Sequence, residues 1–310
     1  MIQLQSTVRK NLPNVRGTYR FDYPLAGSVW FGVGGPAEIF FKPADAEDLS
    51  DFLKQKPADL PVLPIGVGSN LLVRDGGIDG VVIRLGRGFT DTEFYEDGLV
   101  YVGAAMLDQN LAKVCQQNGL GGLEFLSGIP GTIGGAVFMN AGAYGKEIKD
   151  VLVSVDVILP DGSHTILEAE EIPFTYRRSN LPEGAIVIGA AFQGQPEDPT
   201  LIQQRIDHIR QEREISQPVR AKTGGSTFKN PEGHKAWQLI DEAGGRGLTL
   251  GDAQVSEKHC NFLINTSNAT ARDLEALGEE LRTRVKTNSD IDLQWEIQRV
   301  GEHILEEDAE

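Results

Sequence analysis

The 310-residue sequence predicts an α+β protein of two or three domains, without a doubly wound parallel sheet. Three observations carry this. The glycine loop Pro64-Ile-Gly-Val-Gly-Ser-Asn70 runs into Leu71-Leu-Val73 and, past Gly76-Gly77, into Val81 to Leu85. A strand therefore leaves the loop, whereas in a Rossmann fingerprint the glycines open a helix. Asp97-Gly98 and Asp161-Gly162 each join two apolar runs, the signature of antiparallel hairpins. From about residue 200 the apolar spacing becomes helical, with Ile202, Ile206 and Ile209 followed by Leu274, Leu277, Leu281 and Val285.

Each element follows from local signals. A helix opens after Pro43, with Asp45 as N-cap and Leu49, Phe52 and Leu53 facing the core. Phe94-Tyr95 and Leu99 to Val102 form the first hairpin; Val155 to Leu159 and Thr165 to Leu167 form the second. Between them Leu107, Leu111, Val114 and Cys115 mark the one helix in a region otherwise expected to be strands, residues 91–167. Gly194 to Pro199 is a linker into a separate α+β unit at 200–287. That unit holds a helix over Trp237 to Ala243 and strands near Ala253 to Val255 and Asn261 to Ile264. The last strand, Leu293 to Val300, is expected to return to the first domain. It sets Leu293, Trp295 and Ile297 on one face and Gln294, Glu296 and Gln298 on the other.

Composition narrows the function. With 40% hydrophobic residues and no apolar run near 18 residues, no membrane span is expected. Met1 to Lys10 lacks the apolar core of an export signal. Two cysteines, Cys115 and Cys260, and five scattered histidines offer no disulfide framework and no metal site. A cytoplasmic, metal-free protein without an obligate protein partner is the plain expectation. A net charge of −16 speaks against nucleic acid, whose phosphates need clustered Lys and Arg. Arg205 to Lys235 is the local exception, with seven cations against four carboxylates. A solvated helix face accounts for Arg205 to Arg213; nearer Gly224-Gly225 a small anionic ligand is plausible.

Ser127 to Gly145 contains six glycines in 19 residues. Backbone so bare can adopt positive φ, approach a ligand closely and present N–H groups as an anion-binding nest. Together with the loop at 64–70 it suggests a bound dinucleotide, although either loop alone could serve only as a turn. Three further patterns could carry chemistry. In Phe174-Thr-Tyr-Arg-Arg-Ser179, Arg177 or Arg178 could clamp a carboxylate or phosphate, where a surface ion pair is the plainer reading. Gly224-Gly-Ser-Thr-Phe-Lys-Asn-Pro231 offers a hydroxyl, an ammonium and an amide, and Ser226 lacks the elbow of a hydrolase nucleophile. Glu296, taken alone, reads as a solvent-facing strand residue.

The ordered set Val33-Gly-Gly-Pro-Ala37, Gly66-x-Gly-Ser-Asn70, Ser127-Gly-Ile-Pro-Gly-x-Ile-Gly-Gly135 and Met139-Asn-Ala-Gly-Ala-Tyr-Gly145 goes further. It continues through Tyr176-Arg177-x-Ser179, Gly225-Ser-Thr-Phe-Lys-Asn-Pro231, Val255-Ser-x-Lys-His259 and Glu296. Across nearly the whole chain these residues resemble the UDP-N-acetylenolpyruvoylglucosamine reductase family. The resemblance implies a vanillyl-alcohol-oxidase-type FAD-binding fold in two subdomains, 1–86 with 288–310 and 87–199, plus the UDP-sugar domain at 200–287. It implies FAD, NADPH as hydride donor, and reduction of UDP-N-acetylglucosamine enolpyruvate to UDP-N-acetylmuramate for the bacterial wall. The family's active-site arginine, serine and glutamate fall on Arg177, Ser226 and Glu296. The expected FAD contacts are Gly66, Val67, Gly68, Ser69 and Asn70 in one loop. In the other they are Ser127, Gly128, Ile129, Pro130, Gly131, Gly134 and Gly135, with Asn140, Ala141 and Gly142 beyond. Tyr176, Lys229, Asn230 and His259 are expected substrate contacts.

Two departures qualify the match. The position before Val33, often basic in the family, is Gly32. No tyrosine follows Tyr176, so the tyrosine lid of the family's long form is absent and the chain resembles the short form. Neither glycine loop contains a histidine, so the flavin is expected to be held non-covalently. A different flavin oxidase of the same fold and a non-catalytic binder are the competing readings. The intact Arg177, Ser226 and Glu296 weigh against the binder.

Overall fold

The computed structural model describes residues 11–304. Met1 to Lys10, where the export signal would lie, falls outside the described residues. The chain divides into two compact units. One comprises residues up to 21, 39–66 and 80–210; the other comprises 22–38, 67–79 and 211 onward. These limits differ from the boundaries expected at 86, 199 and 287, because 22–38 and 67–79 group with the C-terminal third.

The first unit holds two hydrophobic clusters. One gathers around Ile39, Phe41, Leu49, Phe52, Val81 and Ile83, beside a four-stranded sheet. The sheet's order is Thr18–Pro24, Pro36–Lys42, Ile78–Arg84 and Val62–Ile65, the last pair parallel with Val62 opposite Val81. The helix Ala46–Gln55 begins where expected: Asp45 accepts from the Asp48 N–H at 3.0 Å, and Glu47 and Asp48 complement the positive helix start. The buried Asp48 carboxylate accepts in turn from the Arg16, Gly17 and Ala44 N–H groups.

The other cluster, around Val100, Leu111, Phe125, Ile133, Val155 and Phe192, lies against a five-stranded antiparallel sheet. Its strand order is His164–Glu168, Leu152–Ile158, Ile186–Gln193, Leu99–Gly103, Thr92–Phe94. Both predicted hairpins are present: Thr92 pairs with Val102 across Asp97-Gly98, and Ile158 pairs with His164 across Asp161-Gly162.

Two expectations for this unit need correction. The Ser127–Gly145 segment is not all loop, because Ile133–Met139 is a helix. Its two glycines have poor helix propensity, and tertiary contacts make up the difference. The Ile133 and Gly134 N–H groups donate to the Met106 and Ala104 carbonyls, each at 2.9 Å, and Ile133, Ala136 and Val137 are buried. Second, the helix Pro199–Ser216 does not open the C-terminal unit, since Ile202 and Ile206 join the first unit's core. Just before it, Gln195–Pro196 still pairs with Leu120–Gly121, so the chain has not yet left that core.

The second unit is built on the helices Ala236–Glu242 and Ala271–Ser289 and the three-stranded sheet Thr249–Leu250, Ala253–Val255, Leu263–Asn265. Thr270 and Asp273 form a capping box at the start of the long helix, and the Asp75 carboxylate accepts from its Ala271 and Arg272 N–H groups at 3.0 Å. Leu274, Leu277, Leu281 and Val285 form the buried stripe expected from their spacing. Of the predicted last strand, only Gln298–Val300 forms a ladder, parallel to Leu71–Val73. Leu293 and Ile297 nevertheless point into the core as the alternation requires.

Cys115 and Cys260 are free and buried, and burial pushes their thiols up to about 12 and about 11. Asp108, at the start of the helix Asp108–Gln117, is wholly buried, and neither carboxyl oxygen has a hydrogen-bond partner among the described residues. Burial alone raises its pKa well above the usual carboxylate range. A raised folded-state pKa means stability is fully present below the unfolded value of about 3.9 and lost as pH rises through the folded value. Asp108→Asn should therefore match the parent near pH 4 and gain on it toward pH 7.5. Each kcal/mol gained should appear as about 2–4 °C in melting temperature. Thermal unfolding of both proteins across that range checks this, and a constant offset would contradict it.

Candidate active site

Arg177 lies on a hairpin whose strands, Phe174–Thr175 and Arg178–Ser179, leave only Tyr176 and Arg177 in the turn. Arg177 takes φ +57°, a left-handed conformation that costs a side-chain-bearing residue roughly 1–2 kcal/mol. The strain is supported from below. Asn140, itself at φ +46° where it ends the helix Ile133–Met139, donates its amide to the Thr175 carbonyl at 3.1 Å and to Glu147 Oε2 at 3.2 Å. Its side-chain oxygen accepts from the Lys149 N–H at 3.1 Å. Ser179 Oγ donates to the Phe138 carbonyl at 2.7 Å. The half-buried Arg177 guanidinium donates to the Gly142 carbonyl at 3.0 Å, lies 3.7 Å from Glu147 Oε1 and stacks 4.9 Å from the Tyr176 ring centre. Arg178 is exposed. The two arginines thus differ in burial and contacts, where residue type alone left them equivalent and only the family motif favoured Arg177. Both amide hydrogens of Asn140 are committed within the chain, so a cofactor contact there falls to the backbone.

Ser226 and Glu296 belong to the second unit, and backbone pairing sets them on neighbouring segments. The Glu296 N–H donates to the Thr227 carbonyl at 2.8 Å and the Lys229 N–H to the Gln294 carbonyl at 2.8 Å. Between these bonds Phe228 bridges to Trp295, their rings 5.0 Å apart. Glu296 is half-buried while Gln294 and Gln298 on the same face are exposed, which distinguishes it from a plain solvent-facing residue. Asn261, a residue that sequence reasoning missed, fixes the Ser226 segment. Its side chain accepts from the Phe228 N–H at 2.9 Å and donates to the Phe228 carbonyl at 2.8 Å, and its own carbonyl accepts from the Thr227 N–H at 2.8 Å. Only its place two residues after His259 could have drawn notice.

Of the expected substrate contacts, Asn230 accepts from the Ala236 N–H at 3.0 Å, at the start of the helix Ala236–Glu242. His259 packs edge-on to Phe262 at 4.8 Å and accepts from the Asn261 N–H at 3.3 Å. Burial pushes its pKa below the usual histidine value, which favours the neutral ring. Both carry structural work in addition to any ligand contact.

In the two glycine segments Gly68 and Gly145 adopt the positive φ that the bare backbone allows. Gly68 takes φ +68°, and a Cβ there would lie 2.7 Å from the Ser28 carbonyl oxygen. Gly128, Gly131, Gly134, Gly135 and Gly142 stay out of the left-handed region. Gly134 serves close packing, with Ala104 at 3.1 Å from where its Cβ would stand. Ser127 Oγ and Thr223 Oγ1 are buried without a hydrogen-bond partner among the described residues, a cost of about 1–3 kcal/mol each unless a ligand supplies one. The orphaned Ser127 hydroxyl, beside the bare backbone of its own loop, suits a polar ligand such as FAD. Gly32 takes φ +68°, and the Lys222 side chain runs over it with Nζ 3.7 Å from the would-be Cβ. The Lys222 ammonium therefore lies close to the space that a side chain at position 32 would enter.

Among the described residues no group of His, Cys, Asp and Glu could hold a metal ion, and no helix is long and apolar enough to cross a membrane. Residues 37–168 match the FAD binding domain family, and residues 217–300 match the C-terminal domain family of UDP-N-acetylenolpyruvoylglucosamine reductase. A reductase of that name from Rhizorhabdus wittichii is 54% identical over 96% of this chain and 97% of its own length. One from Acidiphilium cryptum is 58% identical over 94% of each. The crystal structure of the Thermus caldophilus enzyme, 36% identical, superposes with a TM-score of 0.78 over 92% of this chain and 99% of that one. The fold is therefore the expected α+β arrangement, an FAD-binding domain followed by the reductase family's C-terminal domain. The chain belongs to the UDP-N-acetylenolpyruvoylglucosamine reductase family.

Proposed function

We propose that Arg177, Ser226 and Glu296 are the residues with which this chain performs its family's reaction. That reaction is the FAD-dependent, NADPH-driven reduction of UDP-N-acetylglucosamine enolpyruvate to UDP-N-acetylmuramate in peptidoglycan precursor synthesis. The observation that carries the assignment is the pairing of the Glu296 N–H with the carbonyl of Thr227, next to Ser226, which sets a carboxyl and a hydroxyl on adjoining backbone. The strained Arg177 supports it from another side, because a left-handed arginine held by several supports is an outlier of the kind that gathers at functional sites.

FAD, when bound, supplies the two-electron link between NADPH and the enolpyruvyl double bond. The protein's residues handle the charge and the proton. Reduction of that double bond places negative charge on the carbon alpha to the carboxylate. Arg177 and Glu296, directed at the carboxylate, stabilise that charge as a preorganised cation and acid. Ser226 delivers the proton to the alpha carbon, with Lys229 as its assisting cation. FAD is assigned to Gly66–Ser69 with the main chain of Asn70, and to Ser127–Gly131, Gly134–Gly135 and Asn140–Gly142, supported by the bare backbone at Gly68 and the orphaned Ser127 hydroxyl. Tyr176, Asn230 and His259 are assigned to the substrate. The two hydrophobic clusters of the first unit support reading it as two flavin subdomains. We place the protein in the cytoplasm, serving cell-wall growth, cell shape and division, because its nucleotide-sugar and dinucleotide substrates are too charged to cross a membrane unaided.

Arg177→Ala should slow turnover by about 10²–10³ while FAD remains bound, the size expected for losing one preorganised group at developing charge. Arg178→Ala should have little effect. Steady-state kinetics with flavin content measured alongside decides this, and greater sensitivity at Arg178 would place the motif in the wrong register.

Ser226→Ala should separate the two halves of the reaction. Anaerobic reduction of the flavin by NADPH should keep its rate, since no substrate carbon is protonated there. Reoxidation by the UDP-sugar should slow by roughly 10²–10⁴. Stopped-flow absorbance reads each half, and equal slowing of both would show that Ser226 shapes the site without donating the proton.

A further inference from the structure

Asn70 closes the glycine loop at 64–70, and sequence pattern alone makes it a cofactor contact. The structure ties it to another residue. Asn70 Nδ2 donates to the Glu296 carbonyl at 3.1 Å, and the Asn70 carbonyl accepts from the Gln298 N–H at 3.0 Å. The parallel ladder starts at the next position, where Leu71 stands opposite Gln298. On its other side the Glu296 N–H is held by the Thr227 carbonyl at 2.8 Å. Both peptide groups flanking the Glu296 Cα are thus pinned: the first by the Thr227 carbonyl, the second at its carbonyl by the Asn70 side chain and, more loosely, at the Ile297 N–H by the same Thr227 carbonyl at 3.4 Å.

The two bonds have different origins. The one to Thr227 belongs to backbone pairing and would form with most side chains. The one from Asn70 needs an amide of that length at that residue. Gln298–Val300 is in ladder but Glu296 is not, so without Asn70 the carbonyl side of Glu296 loses this tether just where the regular pairing stops. A carboxyl that must meet a substrate carboxylate tolerates little displacement, and a shift of about 1 Å can cost about 10²-fold in rate.

We infer that Asn70 is a positioning residue for the reaction: its side chain fixes the main chain of Glu296, and so the carboxyl that faces the enolpyruvyl carboxylate, in preference to binding the cofactor. This rests on the role proposed for Glu296 above.

The test uses the flavin-loaded enzyme and three variants. Asn70→Asp keeps shape and removes the donor. Asn70→Ala removes the donor without adding charge and guards against an effect of the new carboxylate. Glu296→Gln reports on the underlying role. Expected for both Asn70 variants are an unchanged FAD dissociation constant, an unchanged rate of anaerobic reduction by NADPH, and reoxidation by UDP-N-acetylglucosamine enolpyruvate slowed about 10- to 100-fold. Combining Asn70→Ala with Glu296→Gln should slow reoxidation no more than Glu296→Gln alone, because both act through one carboxyl. Loss of FAD affinity with both halves slowed together would overturn the inference and return Asn70 to the cofactor. Multiplicative effects in the double variant would overturn it as well. If Glu296→Gln slows reoxidation but the Asn70 variants do not, the inference alone fails. If Glu296→Gln leaves reoxidation intact, the role of Glu296 fails with it.

Discussion

The pairing of Thr227–Lys229 with Gln294–Glu296 is the constraint that sets the placing of Ser226 and Glu296 in the second unit. It joins segments far apart in the chain, so its closure cost must be met by contacts on both faces. On one face Phe228 and Trp295 pack together, and Gly278 lets the Trp295 ring sit flush on the long helix, since a Cβ there would overlap it. Trp295 Nε1 donates to Glu279 Oε1 at 2.8 Å, and the Arg299 guanidinium lies 4.4 Å from the Trp295 ring centre. Arg299 and Arg74 both reach Glu275, so the two strands of the parallel ladder are anchored to the same carboxylate. Hydrogen bonding from Arg74 holds that carboxyl below its usual pKa, and this contribution is present above about pH 4 and is lost as pH falls through the folded value.

In the first unit the corresponding constraint is Asn140. A left-handed asparagine ends a short helix and spends its side chain on the turn that carries Arg177. The result is an arginine held in a strained conformation by neighbours that over-determine it. Glu147 contributes twice, accepting from Asn140 and lying beside the guanidinium. Such support keeps a long, flexible cation in one place, the preorganisation on which the role proposed for Arg177 relies.

The glycines illustrate how one composition serves several physical needs. Gly68 supplies positive φ, Gly134 and Gly278 supply close approach, and Gly32 leaves room for the Lys222 side chain. Part of the 127–145 motif is a helix, in which Gly134 lets Ala104 approach closely and Gly135 meets no close neighbour.

Local signals were enough for many elements. Asp45 as N-cap, the two Asp-Gly hairpins and the stripe on the long helix all follow from short-range sterics and hydrogen bonding, so they were legible without coordinates. The motifs were also enough to name the family, because ordered groups of glycine and polar residues across the whole chain do not recur by chance. What only tertiary structure decided depended on distant partners. The helix Ile133–Met139 forms because Ala104 and Met106 satisfy its first N–H groups, which no window of seven residues reveals. The unit boundary falls inside the helix Pro199–Ser216 because Ile202 and Ile206 still have a core to join. The roles of Asn70, Asn140 and Asn261 stayed hidden for the same reason. An asparagine's chemistry in sequence is only an amide, and which carbonyl or N–H it meets is set by segments tens to hundreds of residues away.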